Sequence, residues 1–255
     1  MRMKSFIEKT FKAVNEALFP PHLTCSLCEK EVFDKENFCP DCFKSLTFIS
    51  GEACDRCGRK TLKHVYACPS CRGTAVDLSR SVFVYSGGAE TLIKLLKYGG
   101  RRYLAEVMAE YMAKIYVRDF FAPDIITFVP MTDKELFQRG FNHSRLLAEY
   151  LAKYTNNEAI GLLYKKFDTP NQAGLDFDER SKNLKGSFAA VDKKSIKGKK
   201  ILVVDDVLTT GATSGEIAAV LKSCGASSVY LLTFASVPSR KALAAGEEST
   251  GEDAE

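Results

Sequence analysis

No run of this 255-residue chain approaches the roughly 20 consecutive apolar residues that a membrane-crossing helix needs. A secretion signal is missing as well. Lys4, Glu8, Lys9, Lys12 and Glu16 interrupt any apolar core in the first nineteen residues, so the expected compartment is the cytoplasm. Two phosphate-binding signatures are also absent. No G-x-x-x-x-G-K-[ST] string occurs, and no G-x-G-x-x-G follows a strand-like run, which excludes a Walker A loop and a dinucleotide-binding turn.

What is present is a soluble-type composition, 45% hydrophobic and 27% charged, in a chain long enough for one α/β domain and a small accessory module. The formal charge of +4 is uneven: Gly246–Glu255 holds five acids and no base, which leaves +9 on residues 1–245. That basic body favours a phosphate-bearing partner, either a small molecule or a nucleic acid. Four segments are expected. Residues 1–21 form an amphipathic helix with Ile7, Phe11, Val14 and Leu18 on one face, stopped by Pro20 and Pro21. Residues 22–75 form a cysteine module, 76–240 an α/β domain and 241–255 an acidic disordered tail.

Eight of nine cysteines fall into Cys-x-x-Cys pairs: Cys25/Cys28, Cys39/Cys42, Cys54/Cys57 and Cys68/Cys71. Two intervening residues let both sulfurs of a tight knuckle face one tetrahedral Zn²⁺. Ten residues separate the pairs in each half, and all four cysteines of the first half recur 29 positions later. This internal repeat reads as two zinc ribbons in tandem, with two structural Zn²⁺ sites. Disulfides are the weaker alternative, since no thioredoxin-like β-α-β pattern surrounds any pair. Spacing leaves consecutive and cross-braced pairing of the knuckles both open. Arg56, Arg59, Lys60, Lys63 and Arg72, with Tyr66 for stacking, make the second ribbon a candidate nucleic-acid surface. A structural clip is the competing role. Cys224, alone in a helical stretch, reads as a small buried apolar residue.

From Arg80 onward strand and helix patterns alternate. Strands are expected at Val82–Tyr85, Ile125–Val129, Ile201–Val204 and Val229–Phe234, and helices at Ala89–Lys97, Tyr103–Tyr116, Ser144–Tyr154 and Ser214–Lys222. Such alternation implies an α/β fold, a mostly parallel sheet with helices on both faces and its ligand at the carboxyl ends of the strands. The most informative segment is Ile201–Thr213. Four apolar residues lead to Asp205 and Asp206, and then Val207, Leu208, Thr209, Thr210, Gly211, Ala212 and Thr213 open into a helix. Backbone N–H groups and hydroxyls in such a loop face an anion at the positive end of the helix dipole. Paired carboxylates before it can accept hydrogen bonds from a vicinal diol and indirectly hold Mg²⁺.

At all thirteen positions this segment resembles the phosphoribosyl-pyrophosphate (PRPP) signature of type I phosphoribosyltransferases. Other strings extend the likeness to the ComF/GntX (ComFC) family of competence-related proteins: Leu18-Phe-Pro-Pro before the cysteine pairs, Leu95–Arg101, Val129-Pro130-Met131, Arg139–Asn142, and Leu147-Ala148. Thr169-Pro170, Gln172, Leu175, Arg180, Asn183, Gly186 and Phe188 complete the series, with Asn171 a departure where a small residue is commoner. The resemblance runs from about Ala17 to Phe234.

It implies PRPP as ligand with Mg²⁺, and a pyrophosphate loop at Met131 and Thr132, a place that often carries a strained or cis peptide. Arg139 and Lys97 are further candidates for meeting pyrophosphate charge. Phe167–Phe188 is a candidate hood over a second substrate, and Arg180 and Asn183 are divided between site and scaffold. The implied role is the handling of imported single-stranded DNA, with that DNA and DNA-uptake proteins as partners. An active transferase with an unidentified base or amine as acceptor is the alternative, for which no acid or base can be named.

Overall fold

The computed structural model describes residues 24–32, 37–49, 51–71, 74–120, 122–168 and 183–238. The N-terminal helix, Arg72, residues 169–182 (with Arg180) and the acidic tail lie outside that set. The chain divides into two compact units, Met1–Ser45 and Leu46–Glu255. No helix among the described residues is long and apolar enough to cross a membrane.

In the first unit, the Cys25 knuckle closes through backbone bonds from Cys25 N–H to Lys30 O (2.7 Å) and from Glu29 N–H to Cys25 O (2.8 Å). Helix α1 (Pro40–Lys44) follows Cys39, with Pro at its first position, Asp41 in the first turn and Lys44 in the last. Proline is tolerated there because that N–H has no helical partner, and the charges oppose the helix dipole correctly. The helix brings Cys42 back to the side of Cys39.

The second unit is built on β1 (Leu78–Val84), β2 (Ile125–Phe128), β5 (Lys200–Leu208) and β6 (Ser228–Ser236). They form one parallel sheet in the order β1-β6-β5-β2. A two-stranded antiparallel pair, β3 (Leu163–Lys165) with β4 (Phe188–Ala190), stands apart and joins the two ends of the expected hood segment. Helices α2 (Gly87–Tyr98), α3 (Leu104–Asp119), α4 (Asp133–Arg139), α5 (His143–Thr155) and α6 (Ala212–Ser223) complete the unit.

The apolar run in β5 is buried on both sides. Ile201 and Val203 share a core with Val229 and Leu231 of β6 and Ile217, Ala218 and Leu221 of α6. Leu202 and Val204 point the other way by the strand's period of two, and both are fully buried. Both edges are covered. Ile49 N–H donates to Val82 O (2.9 Å) beside β1, and Ile160 N–H donates to Ile126 O (2.9 Å) beside β2. Covering an edge removes a template for pairing with another chain.

The structure departs from the sequence pattern in several places. Strand β5 does not stop at Val204. Pairing with β6 continues through Asp205↔Thr233, Val207↔Ala235 and Leu208↔Ser236, so both acids lie within the strand. Strand β1 starts at Leu78 rather than Val82 because Leu78 already pairs with Tyr230. Helix α4 was not expected, although its signal was present: Thr132-x-x-Glu135 is a capping box, with Thr132 Oγ accepting from Glu135 N–H (3.2 Å) and Glu135 Oε2 accepting from Thr132 N–H (2.9 Å). Cys224 is only half-buried, at the end of α6, though it packs on the core.

Aromatic packing locks the sheet centre. Phe234 on β6 is 1% exposed, and its ring lies 5.1 Å from that of Phe83 on β1. Phe234→Ala is expected to cost about 3–5 kcal/mol, the range for truncating a fully buried Phe. Urea unfolding should show it as a lower midpoint at unchanged slope.

Candidate functional site

The carboxyl ends of β5 and β2 open into a cavity of 620 Å³. Its deepest charge is Asp206, 2% exposed. A carboxylate so far from water needs charged or hydrogen-bonding partners. Lys97, in the last turn of α2, places Nζ 2.5 Å from Asp206 Oδ2, and His143, the first residue of α5, places Nε2 3.3 Å from Oδ1. Asp205 is less enclosed. Its Oδ1 accepts from Ser144 Oγ (2.7 Å) and from Asp206 N–H (2.9 Å).

The two acids therefore titrate apart. Burial and the neighbouring Asp206 charge push the Asp205 carboxyl up to about 6, despite His143, Ser144 and Lys97. Burial works the same way on Asp206, but Lys97 and His143 outweigh it and hold that carboxyl well below the usual range. Lys97 is buried too, yet Asp206 keeps its pKa above the ordinary lysine value.

Eight of the thirteen residues named from the sequence for PRPP or pyrophosphate line this cavity: Asp205, Asp206, Val207, Thr209, Thr213, Met131, Arg139 and Lys97. Lys97 is ion-paired and largely buried. Arg139 stacks its guanidinium 4.9 Å above the Tyr98 ring and donates to Tyr98 Oη at 3.3 Å. Its Nη1 is buried and has no hydrogen-bond partner among the described residues. Leu208, Thr210, Gly211 and Ala212 instead line a second cavity of 330 Å³, on the side of the loop that faces the second ribbon. Gly211 takes φ 92°, a left-handed conformation that a residue with Cβ adopts only with strain, and it starts α6 without a side-chain cap. Thr132 caps α4 and donates its hydroxyl to Asp168. It is extended (φ −72°, ψ 162°), and every described peptide bond is trans, so the strained or cis peptide implied by resemblance is not found at this position.

His143 and Ser144 were missed. The signal was Asn142 as a helix N-cap, which puts the next two residues in a first helical turn. Asn142 Oδ1 accepts from Arg145 N–H (3.0 Å), and its Nδ2 donates to Val129 O (3.0 Å), tying that turn to the exit of β2.

The cysteines gather in consecutive fours. Within each set, Cys25/Cys28/Cys39/Cys42 and Cys54/Cys57/Cys68/Cys71, one sulfur from each residue lies within 4.8 Å of the others. Cross-bracing and disulfides are both overturned. Sulfur separations of 3.5 Å (Cys54–Cys71), 3.6 Å (Cys57–Cys68) and 3.7 Å (Cys28–Cys39) far exceed a bonded pair at ~2.05 Å. They fit a tetrahedron with Zn–S bonds of ~2.3 Å. Two ribbon arginines are unavailable for nucleic acid. Arg59 is buried, with Nη2 on Thr209 O, and Arg56 Nη1 donates to Thr74 O (2.9 Å) and Val76 O (2.7 Å). Tyr66 remains exposed beneath the Arg56 guanidinium (5.2 Å), with Lys63 exposed and Lys60 partly so.

The site and the two Cys₄ clusters define a class: a double zinc ribbon attached to a phosphoribosyltransferase-like α/β domain. Family models agree, with a double zinc ribbon domain over residues 14–72 and a phosphoribosyl transferase domain over residues 156–248. The chain is 26% identical to Competence protein F of Haemophilus influenzae, covering 77% of this chain and 89% of that one. It is 28% identical to the DNA utilization protein YhgH of Escherichia coli K12 (81% and 87%) and 25% to Competence protein ComFC of Streptococcus pneumoniae (77% and 86%). The chain is thus similar over most of its length to ComF-type proteins. A hypoxanthine phosphoribosyltransferase structure from Staphylococcus aureus aligns over 52% of this chain and 62% of that one, at 15% identity and TM-score 0.31. The fold assignment stands on the sheet order and the family model.

Two outcomes are expected. All four sulfurs of the second cluster are buried, whereas Cys28 of the first is exposed and Cys42 partly so. A chromophoric chelator should therefore remove zinc in two phases, with Cys25→Ser or Cys28→Ser deleting the fast one. The raised Asp205 pKa means that the folded state holds this proton more tightly than the unfolded chain. Ionising it costs stability as pH rises from about 4 to about 6, and the cost persists above. Asp205→Asn should raise the melting temperature by about 2–4 °C at pH 8 and leave it unchanged near pH 4.

Proposed function

We propose that this cavity binds PRPP with Mg²⁺, and that the protein uses that ligand in the handling of imported single-stranded DNA. The reading rests on one convergence. Two acids of opposite proton affinity, Thr209 and Thr213 from the two ends of the loop at a helix N-terminus, and Arg139 with its unpartnered Nη1 all line one cavity. A ligand fitting it carries a phosphate at the loop, a diol at the carboxylates and further anionic charge near Arg139.

The donor set suits Mg²⁺, a hard cation that prefers oxygen and keeps several waters. Both Asp206 oxygens already face Lys97 and His143. Asp205 is therefore the better ligand, and the ion would otherwise be held through the diol, the diphosphate and water. Bound there, Mg²⁺ would neutralise pyrophosphate charge. Lys97 and His143 keep Asp206 ionised and oriented, and Ser144 fixes the rotamer of Asp205. The DNA role draws on the names of the relatives, two called competence proteins and one a DNA utilization protein. The basic body of the chain agrees with it.

A second reading, active phosphoribosyl transfer, is favoured by the cavity's extension past the loop to Lys165, Asp168, Leu184 and Phe188, where an acceptor could stand. Release of pyrophosphate on addition of an acceptor would establish it.

Isothermal titration of PRPP with Mg²⁺ into the zinc-loaded protein tests the binding claim. Wild type should bind, and the Asp205→Asn/Asp206→Asn double variant should lose at least about 30-fold in affinity, from several charge-assisted hydrogen bonds. Wild-type affinity should also fall below about pH 6 as Asp205 takes up a proton. Absence of heat with wild type ends the PRPP reading. For the DNA role, fluorescence anisotropy of a labelled single strand should show affinity falling steeply with salt; a salt-independent or absent signal counts against it.

A further inference from the structure

We propose that Arg59, in the second zinc ribbon, is a positioning residue for the Thr209–Thr213 loop, so that metal occupancy of that ribbon and PRPP affinity are thermodynamically coupled. The proposal rests on the PRPP reading above and adds a control to it.

Arg59 is 3% exposed. Its Nη2 donates to the carbonyl of Thr209, 150 residues away in sequence. Its Nε has no hydrogen-bond partner, and no carboxylate among the described residues lies in ion-pair range of it. A buried guanidinium without an anion is costly, so something must offset its charge. Two anionic centres are candidates. One is the Cys₄ cluster, which carries roughly two negative charges with zinc bound and includes Cys57, two residues before Arg59. The other is the phosphate that the loop would hold.

The ribbon holds Arg59 rigidly. Cys54 N–H donates to Arg59 O (3.0 Å) and Gly58 N–H to Cys54 O (2.7 Å), so the metal-binding knuckle itself sets the arginine backbone. Gly58 adopts φ +67°, and a Cβ there would stand 3.0 Å from the backbone N and Cα of Arg80 on β1, so the knuckle is seated directly on the sheet. All four cysteines of this ribbon also share the apolar core with Ile217, Ala218 and Leu221 of α6, the helix that the loop opens into. The ribbon thus reaches the loop twice, through Arg59 at its start and through the core beneath α6. Losing the metal, with the four thiolates taking up protons, frees the knuckle, removes the net two negative charges from beside Arg59 and releases the Thr209 carbonyl. Linkage makes the effect reciprocal: a ligand that orders the loop must also slow loss of the metal.

The experiment uses full-length, zinc-loaded protein in two arms. In the first, PRPP with Mg²⁺ is titrated into wild type, Arg59→Met, Arg59→Lys and Lys60→Ala. Arg59→Met keeps the volume but not the hydrogen bond, and it should bind about 10-fold more weakly while retaining two zinc ions per chain. Arg59→Lys, which can still donate to Thr209 O, should recover part of the loss, and Lys60→Ala should match wild type. In the second arm, zinc release to a chromophoric chelator is followed with and without PRPP. PRPP should slow the slow phase in wild type at least about 3-fold and leave it unchanged in Arg59→Met. Equal PRPP affinity of wild type and Arg59→Met overturns the proposal, as does zinc release from wild type that is blind to PRPP. The second result needs no variant to fold. Wild type that does not bind PRPP at all removes the ligand reading and this coupling together, and is distinct from either.

Discussion

The organisation of the α/β unit follows from one constraint, a carboxylate buried where β5 leaves the sheet. Asp206 is almost inaccessible, and burying an ionised group without partners costs several kcal/mol. Its partners come from two other elements: Lys97 from the end of α2 and His143 from the start of α5. Segments more than a hundred residues apart in sequence are thereby fixed around one charge. The same centre sets the chemistry of its neighbour, since Asp205 stands beside a charge that is already committed and holds its proton to about pH 6.

The second ribbon belongs to that arrangement. Its cysteines lie in the core beneath α6, its Arg80–Asp55 ion pair (2.9 Å) ties it to β1, and Arg59 reaches the loop that follows Asp206. A Cys₄ centre can fold a short segment without a large core. Here it also supplies packing surface and a hydrogen-bond donor to the phosphate-type loop. The first ribbon, with more exposed sulfurs, offers its metal less protection.

Much of this was legible in the sequence because the relevant signals are local. Cys-x-x-Cys spacing announces a knuckle, since two thiols three positions apart face one metal in any tight turn. The run Ile201–Val204 followed by acids and a Thr/Gly loop announces a strand delivering a helix N-terminus to an anion. Asn142 and the Thr132/Glu135 box mark the starts of α5 and α4 in the same local way.

Other features are decided only by packing. Whether Lys97 is a solvated charge or an ion-pair partner depends on where α2 ends relative to β5, which strand order sets. The extension of β5 through Asp205 and Asp206 depends on β6 continuing alongside, each partner 28 residues further on. Arg56 and Arg59 looked like surface cations because charge and spacing say nothing about burial; Arg59 instead turns inward to the Thr209 carbonyl. By itself the sequence determined the two metal knuckles, the phosphate-type loop and the alternating α/β plan, each a matter of neighbouring residues. The tertiary structure decided the pairing of the knuckles, the partners of the two acids and the contact between ribbon and loop, because each depends on distances between groups far apart along the chain.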